Sequence, residues 1–224
     1  MPSSELCRAT EFLDHESDAV RRFLERSTPD GASQGEQAVA LYYAVRDGID
    51  YEIYRSRLAR EDIRASSVLE RGRGMCIHKS VVYAACVRAL GIPSRLEFVD
   101  VRNHLASDRL KDFLGGEVFC YHGYVSILLH GRWVKTTPVF NAKLCRLYRI
   151  APLEFDGNSD SVLHPSNETG SESMQLLHHH GEFDDFPYEL VTNGLRSAHP
   201  RLFEGPSRLR RGSLVAESPY SAEA

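Results

Sequence analysis

Cys76, in the stretch ERGRGMCIHKSVVYAACVRALGIPSR, has the surroundings of an activated thiol nucleophile. Arg71, Gly72, Arg73 and Gly74 lead up to it. From Cys76 onward Ile77, Val81, Val82, Ala84, Ala85 and Ala89 form a wide apolar surface at helical spacing. The thiol therefore falls in the first turn of a largely buried helix, where free backbone N–H groups and the positive dipole end favour an anion. Thiol pKa values fall in such places and beside Arg, and the thiolate is the reactive form. The glycines let the chain turn tightly into the helix and leave room for a substrate backbone. The competing reading is a core thiol, because free cysteine is among the most buried residue types. Cys86, in the apolar middle of the same helix, takes that reading.

A nucleophile needs a base. His122, in FCYHGYVSILL, lies on an expected strand beside Gly123 and can face a pocket, take the thiol proton and later protonate a leaving group. The alternative is a hydrogen-bonded, half-buried histidine. His78, two residues past Cys76, points elsewhere on the helix and is read as supporting. Arg71 and Arg73 are candidates for holding an acidic group of a substrate near Cys76, against the plainer reading of a solvated basic loop. His178–His180 are read as a solvated loop, since no zinc pattern of Cys and His spacing accompanies them. No metal site and no cofactor are expected.

The elements that must position these residues are legible in part. SELCRATEFLDHESDAVRRFLERS reads as a helix that breaks at TPDG. SQGEQAVALYYAVRDGIDYE carries a second helical pattern, with Ser33 and Glu36 as a capping box. SSVLERGRGM reads as a loop. Gly91 fits the position after the Cys76 helix, and Pro93 lies where that helix has ended. The period then becomes strand-like. SRLEFVDVRN is a strand candidate, and EVFCYHGYVSILL and RWVKTTPVF form an antiparallel hairpin through His130–Gly131. ASDRLKDFLGG fits a short helix or an inserted loop. From Asn141 the chain is loop-rich, with a short helix in GEFDDFPYELVTNGL. Helices first and an antiparallel sheet afterwards is an α+β order. Residues 1–32 are read as an N-terminal helical segment and 33–205 as the main domain, with its extension from about residue 142. Residues 206–224 are read as a disordered tail.

The 224 residues suffice for one full core. A net charge of −4 gives no basic footprint for nucleic acid. No apolar run reaches the length of a membrane span. The N-terminus lacks a basic segment followed by an apolar one, so no secretory signal is visible and a cytoplasmic location is the expectation. The five cysteines are odd in number and include no CxxC pair, so free thiols are expected. RRGS at Arg210–Ser213 has the form of a basic-directed phosphorylation site, and Asn167 begins a glycosylation sequon; both read as chance patterns here. The oligomeric state is not legible.

GRGMCIHKSVVYAACVRALGIPSRL and HGYVSILLHGRWVKTTP, in that order, resemble the transglutaminase-like superfamily, which groups transglutaminases, peptide N-glycanases and many bacterial peptidase-like proteins. The resemblance runs from about Val45 to Asn141. It implies a papain/transglutaminase-like fold, with a central nucleophile helix packed on an antiparallel sheet. It also implies Cys76 as nucleophile and His122 as base. Gly74 and Trp133, which open the cysteine segment and the second strand of the hairpin, are carried as candidate substrate contacts; for Trp133 the core is the competing place. The family's orienting Asp, followed by Pro after the Trp strand, is replaced here by Thr137 before Pro138. A Thr hydroxyl can accept a hydrogen bond but supplies no carboxylate. Asn141, close in sequence, and Asp156, in EFDGNSD, are the other candidates to orient the imidazole.

These features imply acyl transfer at an amide or peptide bond, with hydrolysis favoured over transamidation because no amine-binding feature is visible. The substrate would be a peptide, protein or other amide. The competing hypothesis is a catalytically silent binding or assembly module, motivated by the missing Asp and the long C-terminal region.

Overall fold

The helix that begins at Cys76 is the centre of the computed structural model, which describes residues 5–104, 106–162, 174–204 and 212–218. This helix, α5, runs Cys76–Ala89, and every residue from Cys76 to Arg88 is buried. Ahead of it come α1 (Asp18–Ser27), α2 (Gln34–Gly48), β1 (Asp50–Tyr51), α3 (Arg60–Ile63), α4 (Ala65–Arg71) and β2 (Arg73–Gly74). After it come β3 (Ser94–Asn103), α6 (Asp108–Leu114), β4 (Val118–Leu129), β5 (Arg132–Thr136), α7 (Ala142–Leu147), β6 (Met174–Phe183), α8 (Tyr188–Ala198) and α9 (Leu214–Glu217). The four long strands form an antiparallel sheet in the order β5-β4-β3-β6. One face of β3 and β4 packs on α5, while α1, α2 and α4 cover the helix from the other side. The fold is α+β with a central helix on an antiparallel sheet, as the sequence implied.

Local chemistry sets the ends of the elements that frame the site. Ser33 and Glu36 form the expected capping box at α2, with the Ser33 N–H donating to Glu36 Oε2 at 2.9 Å. Gly91, at φ +74°, closes α5, and the Ile92 N–H returns to the Val87 carbonyl at 3.0 Å. The β4–β5 hairpin turns at His130–Gly131 as expected, pairing Leu129 with Arg132.

The polar residues buried in α5 tie it to its neighbours. Lys79 donates from Nζ to the Arg46 and Ile49 carbonyls, at 2.7 and 2.6 Å, beside the C-terminal end of α2. A cation is favoured at that negative dipole end. Burial nonetheless draws the Lys79 ammonium down to about 7. Arg88, in the last turn, donates to the Ser94, Arg8 and Asp184 carbonyls.

Several expectations fail here for identifiable reasons. The first helix does not begin near Ser4. A short 3-10 turn covers Glu5–Cys7, and α1 starts only at Asp18, where Ser17 accepts the Val20 N–H. Phe12 and Leu13 are buried between the two, where the Leu13 N–H donates to Thr10 Oγ1 at 3.0 Å. SSVLERGRGM is not all loop: its first half is α4, ended by Gly72. His178–His180 are not a solvated loop but part of edge strand β6, which carries two register shifts against β3. There His179 meets Glu97 at 2.9 Å and His180 meets Asp100 at 2.6 Å. Burial would raise the Glu97 carboxyl, but hydrogen bonds from Lys135, Ser126, Tyr124 and His179 outweigh it and hold it below the usual range. Among the described residues no group of three or more metal-ligating side chains occurs. Within the tail read as disordered, residues 212–218 include α9 and pack on the body of the protein. Asn167 and Arg210–Arg211 lie outside the described residues. No helix among the described residues is long and apolar enough to cross a membrane.

Candidate active site

Cys76 is the first residue of α5, and it is fully buried. Backbone N–H groups of Gly123, Ile77 and Cys76 itself act on its sulfur and favour the thiolate, but burial is the larger effect and pushes the thiol up to about 11. The expected depressed thiol pKa is therefore corrected. Removal from water costs the anion more than the helix end returns. The two arginines do not offset this. Arg71 is turned away onto Asp62, with Nη1 at 3.3 Å from Oδ1 and Nη2 at 3.1 Å from the Asp62 carbonyl. Arg73 is exposed and lines a polar pocket with Asp50, Glu52, Arg55 and Lys143, which shares Tyr51, Leu144 and Leu214 with the pocket lined by His122. Neither guanidinium is among the groups that act on the Cys76 sulfur.

Gly74 packs closely on His78. A Cβ at this position would stand 2.5 Å from His78 Cβ and 2.9 Å from its Cγ. His78 is fixed at both ring nitrogens: the Met75 N–H donates to Nδ1 at 3.2 Å, and Nε2 lies 2.9 Å from the Arg57 carbonyl. That pairing makes Nε2 the protonated nitrogen of a neutral ring. Burial holds the imidazole far below its usual pKa, at about 3. His78 thus caps the start of α5 and locks the segment that delivers Cys76.

His122 is buried on β4, opposite Val99. The next residue, Gly123, is where β4 comes closest to the start of α5: a Cβ there would lie 3.2 Å from Ile77 Cα. The strand carrying His122 therefore rests directly on the first turn carrying Cys76. His122 lines a small, mainly apolar pocket of about 50 Å³, with Tyr51, Phe119, Phe140 and Tyr148 among the walls. Phe119 meets the imidazole edge to face, with centroids 6.4 Å apart.

Tyr51 is a site residue that sequence reasoning missed. Strand β1 pairs in parallel with β2 and sets Tyr51 opposite Gly74, two residues before Cys76. Burial, and then the neighbouring Cys76 sulfur, raise the phenol well above its ordinary pKa, so it stays protonated and able to donate. The chain around Tyr51 carries no motif. Only a two-residue parallel pairing brings it here.

The three candidates to orient the imidazole lie in different situations. Thr137 is buried just beyond β5, its N–H donating to the Ser161 carbonyl at 3.0 Å, and its hydroxyl has no hydrogen-bond partner among the described residues. Thr137 directly follows Thr136, which pairs with Val125; carried one step further, that register would set it across from Tyr124, two residues from His122. Asn141 is committed elsewhere. Its Nδ2 donates to the Arg46 and Ile49 carbonyls at 2.5 and 2.9 Å, and its Oδ1 accepts the Tyr51 N–H at 2.9 Å. Asn141 thus positions Tyr51 rather than the imidazole. Asp156 is exposed and caps its own turn, accepting the N–H groups of Asn158 and Ser159 at 2.7 and 2.8 Å. Trp133 lies outside the core and lines neither of the two pockets described above. It is 36% exposed on the sheet face away from α5, with the Arg95 guanidinium 4.9 Å above its ring.

No curated protein matches the chain. Among solved structures, a Cytophaga hutchinsonii protein provisionally named a cysteine protease aligns with a TM-score of 0.46 at 10% identity. The alignment covers 79% of this chain and 52% of that one, so the chain spans about half of its length. The sequence profile of the Transglutaminase-like superfamily matches residues 20–138, which is more than half of the chain and takes in α1 and α2 as well as the Cys76 and His122 segments. The chain belongs to the transglutaminase-like superfamily.

Proposed function

We propose that this protein performs thiol-dependent acyl transfer at an amide, with Cys76 as nucleophile and His122 as base. One observation carries the reading. The backbone N–H of Gly123, the residue that follows His122, acts on the Cys76 sulfur, and Tyr51, whose phenol feels that sulfur, shares a pocket with His122. In the reaction the Cys76 Sγ–H proton passes to His122 as sulfur bonds to the amide carbon. His122 then gives the proton to the nitrogen as the C–N bond breaks, and a thioester remains. Water attacks that thioester, giving a proton to His122, and the C–S bond breaks to release the acid and the thiol. Tyr51, protonated and facing the same pocket, is the side-chain donor available to the oxyanion. Because burial keeps the resting thiol neutral, deprotonation accompanies attack instead of preceding it. The substrate is a peptide or protein amide, and hydrolysis is favoured over transfer to an amine.

The test uses p-nitrophenyl acetate as a small acyl donor, with acid quench and peptide mapping. The expected result is an acetyl group on Cys76 in preference to Cys7, Cys86, Cys120 and Cys145, formed on the order of a hundredfold more slowly in His122→Ala. A silent binding module is the second reading, favoured by the absence of a carboxylate at Thr137. Acetylation spread over the accessible cysteines, indifferent to His122, would select it.

Thr137→Asp is a sharper probe of the same site. Restoring a carboxylate where the family places one is expected to raise the acetylation rate of Cys76 at least about tenfold. That is a fraction of the roughly 10⁴ that an orienting Asp contributes in a Ser-His-Asp triad. Thr137→Asn, which has the shape without the charge, should give a smaller gain. Equal rates for Asp, Asn and Thr would place position 137 outside the hydrogen-bond reach of His122.

A further inference from the structure

The C-terminal residues 212–218 lie across the pocket that His122 and Tyr51 line, and the manner of their attachment is that of a bound peptide. Leu214 is buried and forms part of the wall of that pocket and of the neighbouring polar one. Its carbonyl accepts a hydrogen bond from Tyr148 Oη at 2.9 Å. Three residues later, the Glu217 carboxylate is taken up by a second set of groups. Tyr54 Oη and Ser107 Oγ donate to Oε2 at 2.5 and 2.8 Å, and Arg109 Nε stands 3.3 Å from Oε1. The Ser218 hydroxyl donates to the Leu147 carbonyl. Between the two anchors Val215 is 47% exposed.

The anchoring is selective. Tyr54, Ser107, Arg109 and Tyr148 come from separate parts of the chain and converge on one seven-residue stretch. A single helical turn such as α9 is marginal by itself; Ser213 caps it, accepting the Ala216 N–H and donating its own N–H to Glu217 Oε1 at 3.1 Å, and the groove holds the capped turn in place. One aliphatic side chain in an apolar pocket, one main-chain hydrogen bond and one captured carboxylate make up a short recognition code.

We propose that this groove is a binding site for a peptide carrying an aliphatic residue and, three positions later, an acidic one, and that the chain's own tail occupies it in cis. This deepens the proposed reaction by naming its substrate class, and it rests on reading the pocket at His122 as the substrate site. A tethered segment competes at an effective concentration on the order of millimolar. A free peptide of micromolar affinity is therefore excluded until the tail is displaced.

The experiment uses the full chain with Leu214→Asp and Glu217→Ala, which removes both anchors, and fluorescein-labelled GSLVAES, the sequence of residues 212–218, as probe. Fluorescence anisotropy is expected to show binding to this variant at least tenfold tighter than to the wild type. Changing the probe's Glu to Gln, or its Leu to Ser, should weaken binding at least tenfold. Arg109→Glu, added to the tail variant, should abolish binding of the original probe and restore it for a probe with Lys in place of Glu. Equal binding to wild type and tail variant, binding indifferent to the probe's Leu and Glu, or no binding at all would overturn the inference. Cys76→Ala in the tail-variant background should bind the probe unchanged. Failure of Cys76 acetylation with probe binding intact therefore sinks only the catalytic reading, and the converse sinks only the tail.

Discussion

Alanine at position 76 is expected to lower acyl transfer by a factor on the order of 10⁴ or more, while the protein stays folded. The size follows from the division of labour at the site. His122 and Tyr51 can polarise and shuttle protons, but neither can form the thioester that splits amide cleavage into two easier steps. Removing the nucleophile from a unit of interacting groups takes away nearly all of the catalysis, leaving only what binding and oxyanion contacts provide. The stability cost is small because one sulfur atom is lost from a buried position; about 1 kcal/mol is the expected scale. Acetylation kinetics and a thermal melt on the same preparation check both halves. Unchanged turnover in Cys76→Ala would remove the thiol mechanism altogether. A companion result concerns the wild type without substrate. A thiol pushed up to about 11 from 9.0 carries about a hundredfold less thiolate at neutral pH. Iodoacetamide should therefore modify Cys76 more slowly than a free thiol, and the rate should keep rising with pH until about 11.

Gly74→Ala is expected to be the most damaging single methyl group near the site. Its Cβ would stand 2.5 Å from His78 Cβ, a separation that cannot be relieved by rotating a flexible side chain. His78 sits on α5 with its ring held at both nitrogens, so relief requires the backbone of β2 or of α5 to move. Overpacking of this kind costs about 1–3 kcal/mol, and the fixed neighbours place Gly74→Ala at the upper end. For a protein of this size that lowers the melting temperature by roughly 6–12 °C. Because β2 holds Tyr51 through β1 and runs directly into Cys76, activity should fall even where the protein remains folded. A melt within one or two degrees of wild type, with acetylation intact, would show that the β2–α5 contact is looser than described. Gly72→Ala, at a position with no atom within 4 Å of the added Cβ but a φ of +65°, separates backbone strain from this steric effect.

These contacts show which features are legible in sequence. The position of Cys76 at the start of a buried helix follows from local pattern alone. Arginine and glycine precede it, a wide apolar surface follows, and Gly91 and Pro93 end the run. The capping box at Ser33 and the His130–Gly131 hairpin are also interactions between residues a few positions apart, which is why they could be read. Position 137 as the place of the missing carboxylate came from the family pattern. The reactivity of the thiol did not follow from its neighbours in sequence. The helix end and the adjacent arginines argue for a lowered pKa, yet complete burial reverses the direction and Asp62 claims Arg71.

The sequence by itself determined the α+β order, the buried helix that begins at Cys76 and the two segments that carry Cys76 and His122, because periodicity, capping and turn chemistry act over short distances. Only the tertiary structure decided what surrounds them. Tyr51 arrives through a two-residue parallel pairing, Asn141 is spent on the end of α2, the three histidines join an edge strand, and Leu214 and Glu217 close over the pocket. Each of these depends on contacts between residues far apart in the chain, and no local pattern of residue types encodes which distant partner a polar side chain will find.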